Sequence, residues 1–367
     1  MQLITLNKVS SRLFAALIVA CTVLTMGTSA QAGDIFRVTG VPIDATAQSA
    51  AAARTQAVAS GQKKALDVLL KRLTIRSDWA LLPQLDETMA QGYVGSFQVA
   101  GEKSSSTRYL ANLTVTFNGP AVGSLLRQTG LHYADTQARP TVLLTGQEEA
   151  TGVVLWDETS PWRQAWSRVD TANSLTPLIM ALGDIEDITS LPVSAVEAGN
   201  LAAFNALADR YGTNRVLFAK AEFGPAGTSI KARYALYIKG TSAPRRWTQT
   251  TMAREGEDKV ALSKRAARRN ISRMEADWKS RSIITSDERS EVTAAVSYET
   301  LKGWVGIQKR LKRVPAIQTL NILAVSTGGA LVDLEFAGTP ESLNVALIQQ
   351  DLSLTDVNGN WFLASTR

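Results

Sequence analysis

Cysteine and histidine are nearly absent from this sequence of 367 residues, which contains one of each. The cysteine is Cys21, in the N-terminal segment, and the histidine is His132. A disulfide needs two cysteines, and cysteine-ligated or two-histidine metal sites need more of these residues than one chain contains, so neither forms within one chain. A Ser-His-Asp triad would have to use His132.

Motifs that mark common enzyme classes are also missing. Beyond residue 32 the sequence has no G-x-G-x-x-G or phosphate-cradling loop, no G-x-S-x-G nucleophile elbow and no H-E-x-x-H pair. The formal net charge of +6 is a mild basic excess that does not identify a partner by itself. These absences predict a protein without enzymatic activity, metal or cofactor.

The first 32 residues have the pattern of a secretory signal peptide. Lys8 and Arg12 give a positive start, residues 13–26 are apolar and uncharged, and residues 30–32 (Ala-Gln-Ala) are typical of a cleavage site. The apolar run is shorter than the roughly 20 residues that a membrane-spanning helix needs. The sequence therefore predicts cleavage after Ala32 and release into the periplasm, where nucleic acid is a poor partner.

The same segment supports an alternative. Residues 18–21 (Ile-Val-Ala-Cys) fit the pattern in which the cysteine is acylated, which would anchor the chain through Cys21. Residues 22–26 stay apolar, whereas a tethered lipoprotein usually continues into a polar linker. Release in soluble form is the favoured interpretation, and lipidation and an uncleaved anchor are the alternatives.

The remainder divides into three predicted segments of α/β (α+β) class, in tandem small two-layer α/β sandwich modules. Residues 33–139 predict the order β-α-β-β-α, with a helix over 46–73 whose small residues allow close approach to a sheet. A short strand is expected at residues 34–38, ended by Gly40 and Pro42.

Residues 140–284 predict a central α/β module. A proline at the first turn introduces a helix that carries Trp162 and Trp166. Alternating apolar residues over 217–223 and 230–238 predict a hairpin, followed by a basic helix over 258–279. Residues 285–367 predict the order β-α-β-β-α-β of a ferredoxin-like module, closed by a hairpin that turns at Asn358-Gly359.

A set of short runs in the first segment also suggests a family. They are ARTQA (53–57), GQKKAL (61–66), RLT (72–74) and LLRQTG (125–130). Through them, residues 33–145 resemble the bacterial domain-of-unknown-function family numbered 2066, and the resemblance continues more loosely through Trp304 to the closing hairpin. It implies an exported, envelope-associated protein of gram-negative bacteria. That family has no established catalytic residues, so it implies no site.

The strongest charged feature is a basic run on the predicted helix over 258–279. At helical spacing its arginines share one stripe, which is a candidate surface for phospholipid headgroups, lipopolysaccharide phosphates or an acidic partner. The alternative is a solvated face balanced by nearby acids, among them Glu257, Glu275 and Asp277. The candidate residues are Lys264, Arg265, Arg268, Arg269 and Arg273.

Three other groups are weaker candidates. Trp156 beside Asp157 and Glu158 could form a sugar-binding acid site, although adjacent residues seldom face one cleft. Asp184, Glu186 and Asp187 could hold a divalent cation, but their spacing matches no calcium loop. Trp162 and Trp166 are one helical turn apart, which is more typical of core residues than of a binding site. His132 is more typical of a residue that bonds a nearby backbone carbonyl than of a catalytic one.

We therefore expect a non-enzymatic accessory or scaffold protein of the periplasm that contacts another envelope protein or component. The alternative is an envelope protein that binds an anionic lipid or glycan through the basic stripe, with peripheral membrane contact. A carboxylate hydrolase centred on Asp157 is the third hypothesis.

Overall fold

The computed structural model describes residues 34–283 and 289–366. The predicted signal peptide, its cleavage site and Cys21 lie outside these residues. The described chain has mixed α/β structure with three β-sheets, which confirms the predicted fold class. Within the described ranges, no helix is both long enough and apolar enough to cross a membrane.

The N-terminal sheet is antiparallel, with strand order β1-β3-β2. Its elements are β1 (Arg37–Thr46), α1 (Ala50–Leu73), a 3₁₀ helix (Arg76–Leu81), α2 (Glu87–Gln91), β2 (Val94–Ser104), β3 (Arg108–Phe117) and α3 (Gly119–Gln128). The predicted strands and the two longer helices are present, and the structure adds the 3₁₀ helix and α2 between α1 and β2. The first strand begins at Arg37, later than expected, and continues through Gly40 and Pro42, which were expected to end it. A register shift between Val38 and Val41 accommodates Gly40, and Pro42 is tolerated because β1 is an edge strand.

Helix α1 lies close to this sheet because one of its faces is made of small residues. Ser49 caps the helix by accepting a hydrogen bond from the backbone N–H of Ala52 at 3.2 Å. Gly61 faces Ile43 and Leu113 of the sheet so closely that a β-carbon there would overlap Ile43. The buried small residues are Ala53, Ala57, Gly61 and Ala65.

Replacement of Gly61 by alanine should therefore destabilise the protein, although alanine favours helix. We expect Gly61→Ala to lower the free energy of unfolding by about 1–3 kcal/mol, because the added methyl overpacks the contact. Gly306, in a C-terminal helix, has no atom within 4 Å of the same position. Gly306→Ala should stabilise by about 0.5–1 kcal/mol through helix propensity. Urea denaturation measures the free energy of unfolding of both variants, and equal changes in the two would contradict the close packing at Gly61.

The central sheet has strand order β5-β4-β7-β8-β9, and β6 pairs with β4. Its strands are β4 (Thr141–Glu149), β5 (Gly152–Leu155), β6 (Leu178–Met180), β7 (Arg215–Phe223), β8 (Ser229–Ile238) and β9 (Arg245–Met252). Its helices are α4 (Pro161–Ser167), α5 (Ile185–Ser190), α6 (Val193–Glu197), α7 (Leu201–Arg210) and α8 (Lys259–Ser282). The predicted hairpin pairs as β7 and β8.

Helices cover both faces of the central sheet. Leu143 faces a cluster formed with α4 and α8, whereas its neighbours Val142 and Leu144 face a cluster formed with α7. A strand buried on both sides is expected to be continuously apolar, as residues 142–144 of β4 are. The central unit therefore has three layers, with the sheet between two layers of helices, where two layers were predicted.

The C-terminal sheet has strand order β11-β12-β10-β14-β13. Its elements are β10 (Arg289–Ser297), α9 (Leu301–Leu311), β11 (Ile317–Val325), β12 (Gly329–Ala337), α10 (Pro340–Ile348), β13 (Leu352–Val357) and β14 (Asn360–Ser365). β12 lies antiparallel between β10 and β11, as in a ferredoxin-like unit. The closing hairpin turns at Asn358 and Gly359, both with positive φ, as predicted.

Residues of α8 and of the linking segments join the three sheets. Trp278 of α8 is 3% exposed within the N-terminal core, and its Nε1–H donates to the carbonyl oxygen of Thr136 at 2.7 Å. Arg139 pairs with Asp351 and its backbone N–H donates to Gln349. The described residues beyond Ala32 cluster as one compact body. The boundaries at residues 139/140 and 284/285 stay predictions.

Candidate anion-binding site

Helix α8 carries the basic run and determines which way each basic side chain faces. Asp258 caps the helix by accepting from the backbone N–H of Ala261 at 2.7 Å. One face, which includes Leu262, Ala266 and Met274, is buried against the central sheet. The basic residues therefore lie at the edges of this face or on the opposite side.

The structure divides the predicted stripe, because Arg265 is already paired. Its Nε–H donates to Glu257 at 3.0 Å, and its Nη2 forms a second bond to the same carboxylate. These hydrogen bonds lower the pKa of Glu257 to about 2. Arg268 lines a different crevice, with Asp170 and Glu275. Glu257 thus balances one of the five candidate residues, Arg265.

Arg269 and Arg273 instead line a groove between α8, β9 and the C-terminal end of α1. This groove has a volume of about 790 Å³ and is lined by six basic side chains and one acidic one. We call it the basic groove. Its charged residues are Lys71, Arg72, Arg76, Arg269, Arg273, Lys279 and Glu275.

Two of these cations are held by the backbone and form the floor of the groove. Arg72 donates from Nη1 to the carbonyl oxygens of Ile35 and Arg37, at 2.6 and 2.8 Å. Lys279 donates from Nζ to the carbonyl oxygens of Lys71 and Thr74, at 3.0 and 2.8 Å. Burial lowers the pKa of both side chains, although each keeps its hydrogen bonds as a cation.

The other four cations are exposed at the sides of the groove. The charged groups of Lys71 and Arg76 lie 5.8 and 5.7 Å from the ring centroid of Trp79. Arg273 lies 5.7 Å from the ring of Trp247, and Arg269 donates to the carbonyl oxygen of Thr250 at 3.3 Å. Aromatic rings and carbonyls hold these cations without neutralising them.

Glu275 supplies the one carboxyl group that lines the basic groove. Burial raises the pKa of Glu275, and this effect outweighs the neighbouring Lys279 and Arg72, which lower that pKa. A carboxyl group in this position offsets at most one of six cations. The basic groove is therefore suited to a ligand with several negative charges.

Sequence reasoning identified Arg269 and Arg273 but missed Lys71, Arg72 and Arg76. These residues are almost 200 positions earlier in the chain, on α1 and the 3₁₀ helix that follows it. The only signal was a basic last turn on α1, which is common because cations stabilise helix C-termini.

The acid site proposed around Trp156 does not form a shared carboxylate pair. Asp157 accepts from the backbone and side chain of Thr159, at 2.8 and 2.7 Å. Glu158 is bonded to Arg163 at 2.7 Å and is largely exposed. Trp162 and Trp166 are buried core residues in edge-to-face contact, as their spacing indicated.

Asp184, Glu186 and Asp187 surround the guanidinium of Arg210, where the sequence had suggested a divalent metal ion. Asp184 caps α5, and both Asp184 and Asp187 accept hydrogen bonds from the Arg210 guanidinium. These bonds raise the pKa of Arg210. The described residues contain no group of three or more histidine, cysteine or acidic side chains arranged to hold a metal ion. His132 lies between the buried residues Leu131 and Tyr133, after α3.

Part of the chain matches a known family model. Residues 41–134 match a domain of unknown function, DUF8605. This finding overturns the resemblance to the family numbered 2066. The runs that carried the resemblance are largely those that pack α1 on its sheet, such as Ala53, Ala57 and Gly61. Such a pattern reflects close helix–sheet packing, which different families share.

Other comparisons add little. No curated protein matches the chain. One of the solved structures that match is the C-terminal domain of LpoB from Salmonella enterica, with 14% identity over 37% of this chain and 95% of that chain. Its TM-score is 0.22, so this likeness carries no argument about function.

Proposed function

We propose that this chain is a non-enzymatic accessory protein of the bacterial envelope that binds an anionic, phosphate-bearing lipid or glycan in the basic groove. The observation that carries the proposal is the convergence of six cations and one carboxyl group on a single concave surface. Arginine forms bidentate hydrogen bonds with phosphate, and lysine acts as a point charge. The proposed location in the envelope depends on the signal peptide predicted at residues 1–32.

The arrangement around Trp79 favours phosphate over a neutral sugar ring. Its ring already contacts Lys71 and Arg76, so it orients two cations toward the groove. Val68 and Ile75 add apolar surface beside them. A ligand that combines negative charge with an apolar or ring-shaped body would match both features.

Vesicle flotation tests this function. We expect the protein to float with phosphatidylglycerol vesicles or bind lipopolysaccharide, and not to float with phosphatidylcholine vesicles. Arg269→Gln combined with Arg273→Gln should weaken binding about thirtyfold, since each cation near an anionic surface contributes about 1 kcal/mol. High salt should weaken binding further.

Lys264→Gln combined with Arg268→Gln is the matched control. These residues lie on the same helix and carry the same charge, but they do not line the basic groove. We expect the control to bind almost as well as the parent protein. If both double variants lost vesicle binding equally, net charge and not the basic groove would explain the binding. Hydrolysis of the ligand by the protein would reject a non-enzymatic role.

A further inference from the structure

A second cavity adjoins the basic groove, and Arg273 lines both. It has a volume of about 100 Å³ and lies where α8 meets the ends of β7, β8 and β9. Five arginines and one aspartate line it, and we call it the arginine pocket. Its charged residues are Arg215, Arg245, Arg246, Arg273, Arg281 and Asp277.

The single carboxylate of the arginine pocket is shared. Asp277 accepts from Arg281 at 2.7 Å and from Arg245 at 3.3 Å. It therefore offsets one positive charge out of five. The pocket keeps a large positive excess in a partly enclosed space, where Coulomb interactions are stronger than in bulk water.

Two polar groups of this pocket are buried without a partner. Within residues 34–283 and 289–366, the Nε of Arg215 and the hydroxyl of Thr176 have no hydrogen-bond partner. Thr176 is 7% exposed, and both residues line the cavity. Buried polar groups are normally hydrogen-bonded, because leaving them unpaired is costly. These groups indicate that the pocket is built to hold something polar.

Electrostatics agrees with this geometry. Burial, together with the positive charges of the neighbouring Arg281 and Arg245, lowers the pKa of Arg215 to about 10. An anion in the pocket would remove the repulsion and restore the lost solvation. The cavity is large enough for an anion of several atoms, since one water needs only about 10–15 Å³.

We propose that the arginine pocket binds a phosphate group, with Arg215 and Thr176 at its floor and Arg281 and Arg245 at its sides. A tetrahedral dianion offers enough acceptor oxygens for several guanidinium groups and a hydroxyl, whereas a carboxylate offers one charge and two oxygens. The inference deepens the proposed function, because the phosphate would belong to a ligand that extends into the basic groove. The two sites can nevertheless fail separately.

Inorganic phosphate is the probe, measured by calorimetric titration and by thermal unfolding. We expect phosphate to bind and to raise Tm of the parent protein, and acetate to do neither. Arg215→Met should weaken phosphate binding at least about tenfold, since it removes charge-assisted hydrogen bonds. The same variant should have a higher Tm than the parent protein without phosphate, because a buried unpaired cation is removed.

Arg233→Met is the matched control, since Arg233 lies on β8 and pairs with Glu222 outside the pocket. It should keep phosphate binding. If Arg215→Met does not fold, Arg281→Gln at the side of the pocket replaces it, with the same expected loss. Absence of phosphate binding in the parent protein, or equal binding in the pocket variants, would overturn the proposal.

Glucose 1-phosphate distinguishes the source of the phosphate group. Tighter binding than inorganic phosphate, with the difference lost when Arg76→Gln is combined with Arg269→Gln, supports an ester whose body occupies the groove, because Arg76 and Arg269 line the groove and not the pocket. Equal binding of the two supports a free phosphate ion. If the parent protein binds inorganic phosphate but does not float with vesicles, the proposed ligand in the basic groove is rejected and the phosphate site in the arginine pocket is kept.

Discussion

Asp187→Ala should lower the free energy of unfolding by about 3–5 kcal/mol, which is the usual cost of removing one partner from a buried ion pair. Asp187 is fully buried and pairs with Arg210. It also accepts from the hydroxyl of Tyr211 at 2.7 Å and from the backbone N–H of Gly183 at 2.9 Å. Alanine would leave all three donors without this acceptor.

Glu186→Ala provides a matched control on the same arginine. Glu186 lies 3.2 Å from Arg210, but its side chain is 73% exposed. An exposed pair of this kind contributes less than about 1 kcal/mol. Denaturant titration of both variants, with and without added calcium, measures the difference. Similar losses in the two variants, or stabilisation of the parent protein by calcium, would contradict a purely structural role for this cluster.

Trp278→Ala should also lower the free energy of unfolding by about 3–5 kcal/mol, because it removes a large buried side chain. Trp278 extends from α8 into the N-terminal core and donates a hydrogen bond to Thr136. The substitution would leave a cavity between α8 and the N-terminal unit. Because α8 and α1 form the basic groove, we expect vesicle binding to fall as well.

Trp79→Ala is the control for this prediction. Trp79 lies at the side of the basic groove and is 36% exposed, so its removal should cost about 1–2 kcal/mol, mainly through its two cation–π contacts. Urea denaturation followed by circular dichroism compares the two variants. If Trp278→Ala were no more destabilising than Trp79→Ala, α8 would not hold the N-terminal unit in place.

Local features of the fold could be predicted from the sequence where a short pattern has one physical solution. The small residues of α1 predicted close approach to a sheet, and Gly61 shows it. Asn358-Gly359 predicted a tight hairpin, because both residues adopt positive φ readily. The turn did not show that β14 pairs in parallel with β10. Strand order depends on long-range contacts, which period and turn chemistry do not encode.

The candidate site was predictable only along one helix. The spacing of α8 identified Arg269 and Arg273, but it also grouped them with Arg265, which is neutralised by Glu257. Arg215, the first residue of β7, gave no sequence signal because it is a single cation ahead of the apolar residues 216–219. A pocket assembled from distant strands and helices becomes visible only when the packing brings those segments together.

A crystal structure of the protein grown with inorganic phosphate tests the central claim most directly, namely that the cations around α8 form a phosphate site. The account predicts a tetrahedral anion within hydrogen-bond distance, about 3 Å, of the Arg215 guanidinium and the Thr176 hydroxyl. A pocket filled only by water, or by a carboxylate of the chain itself, would contradict it.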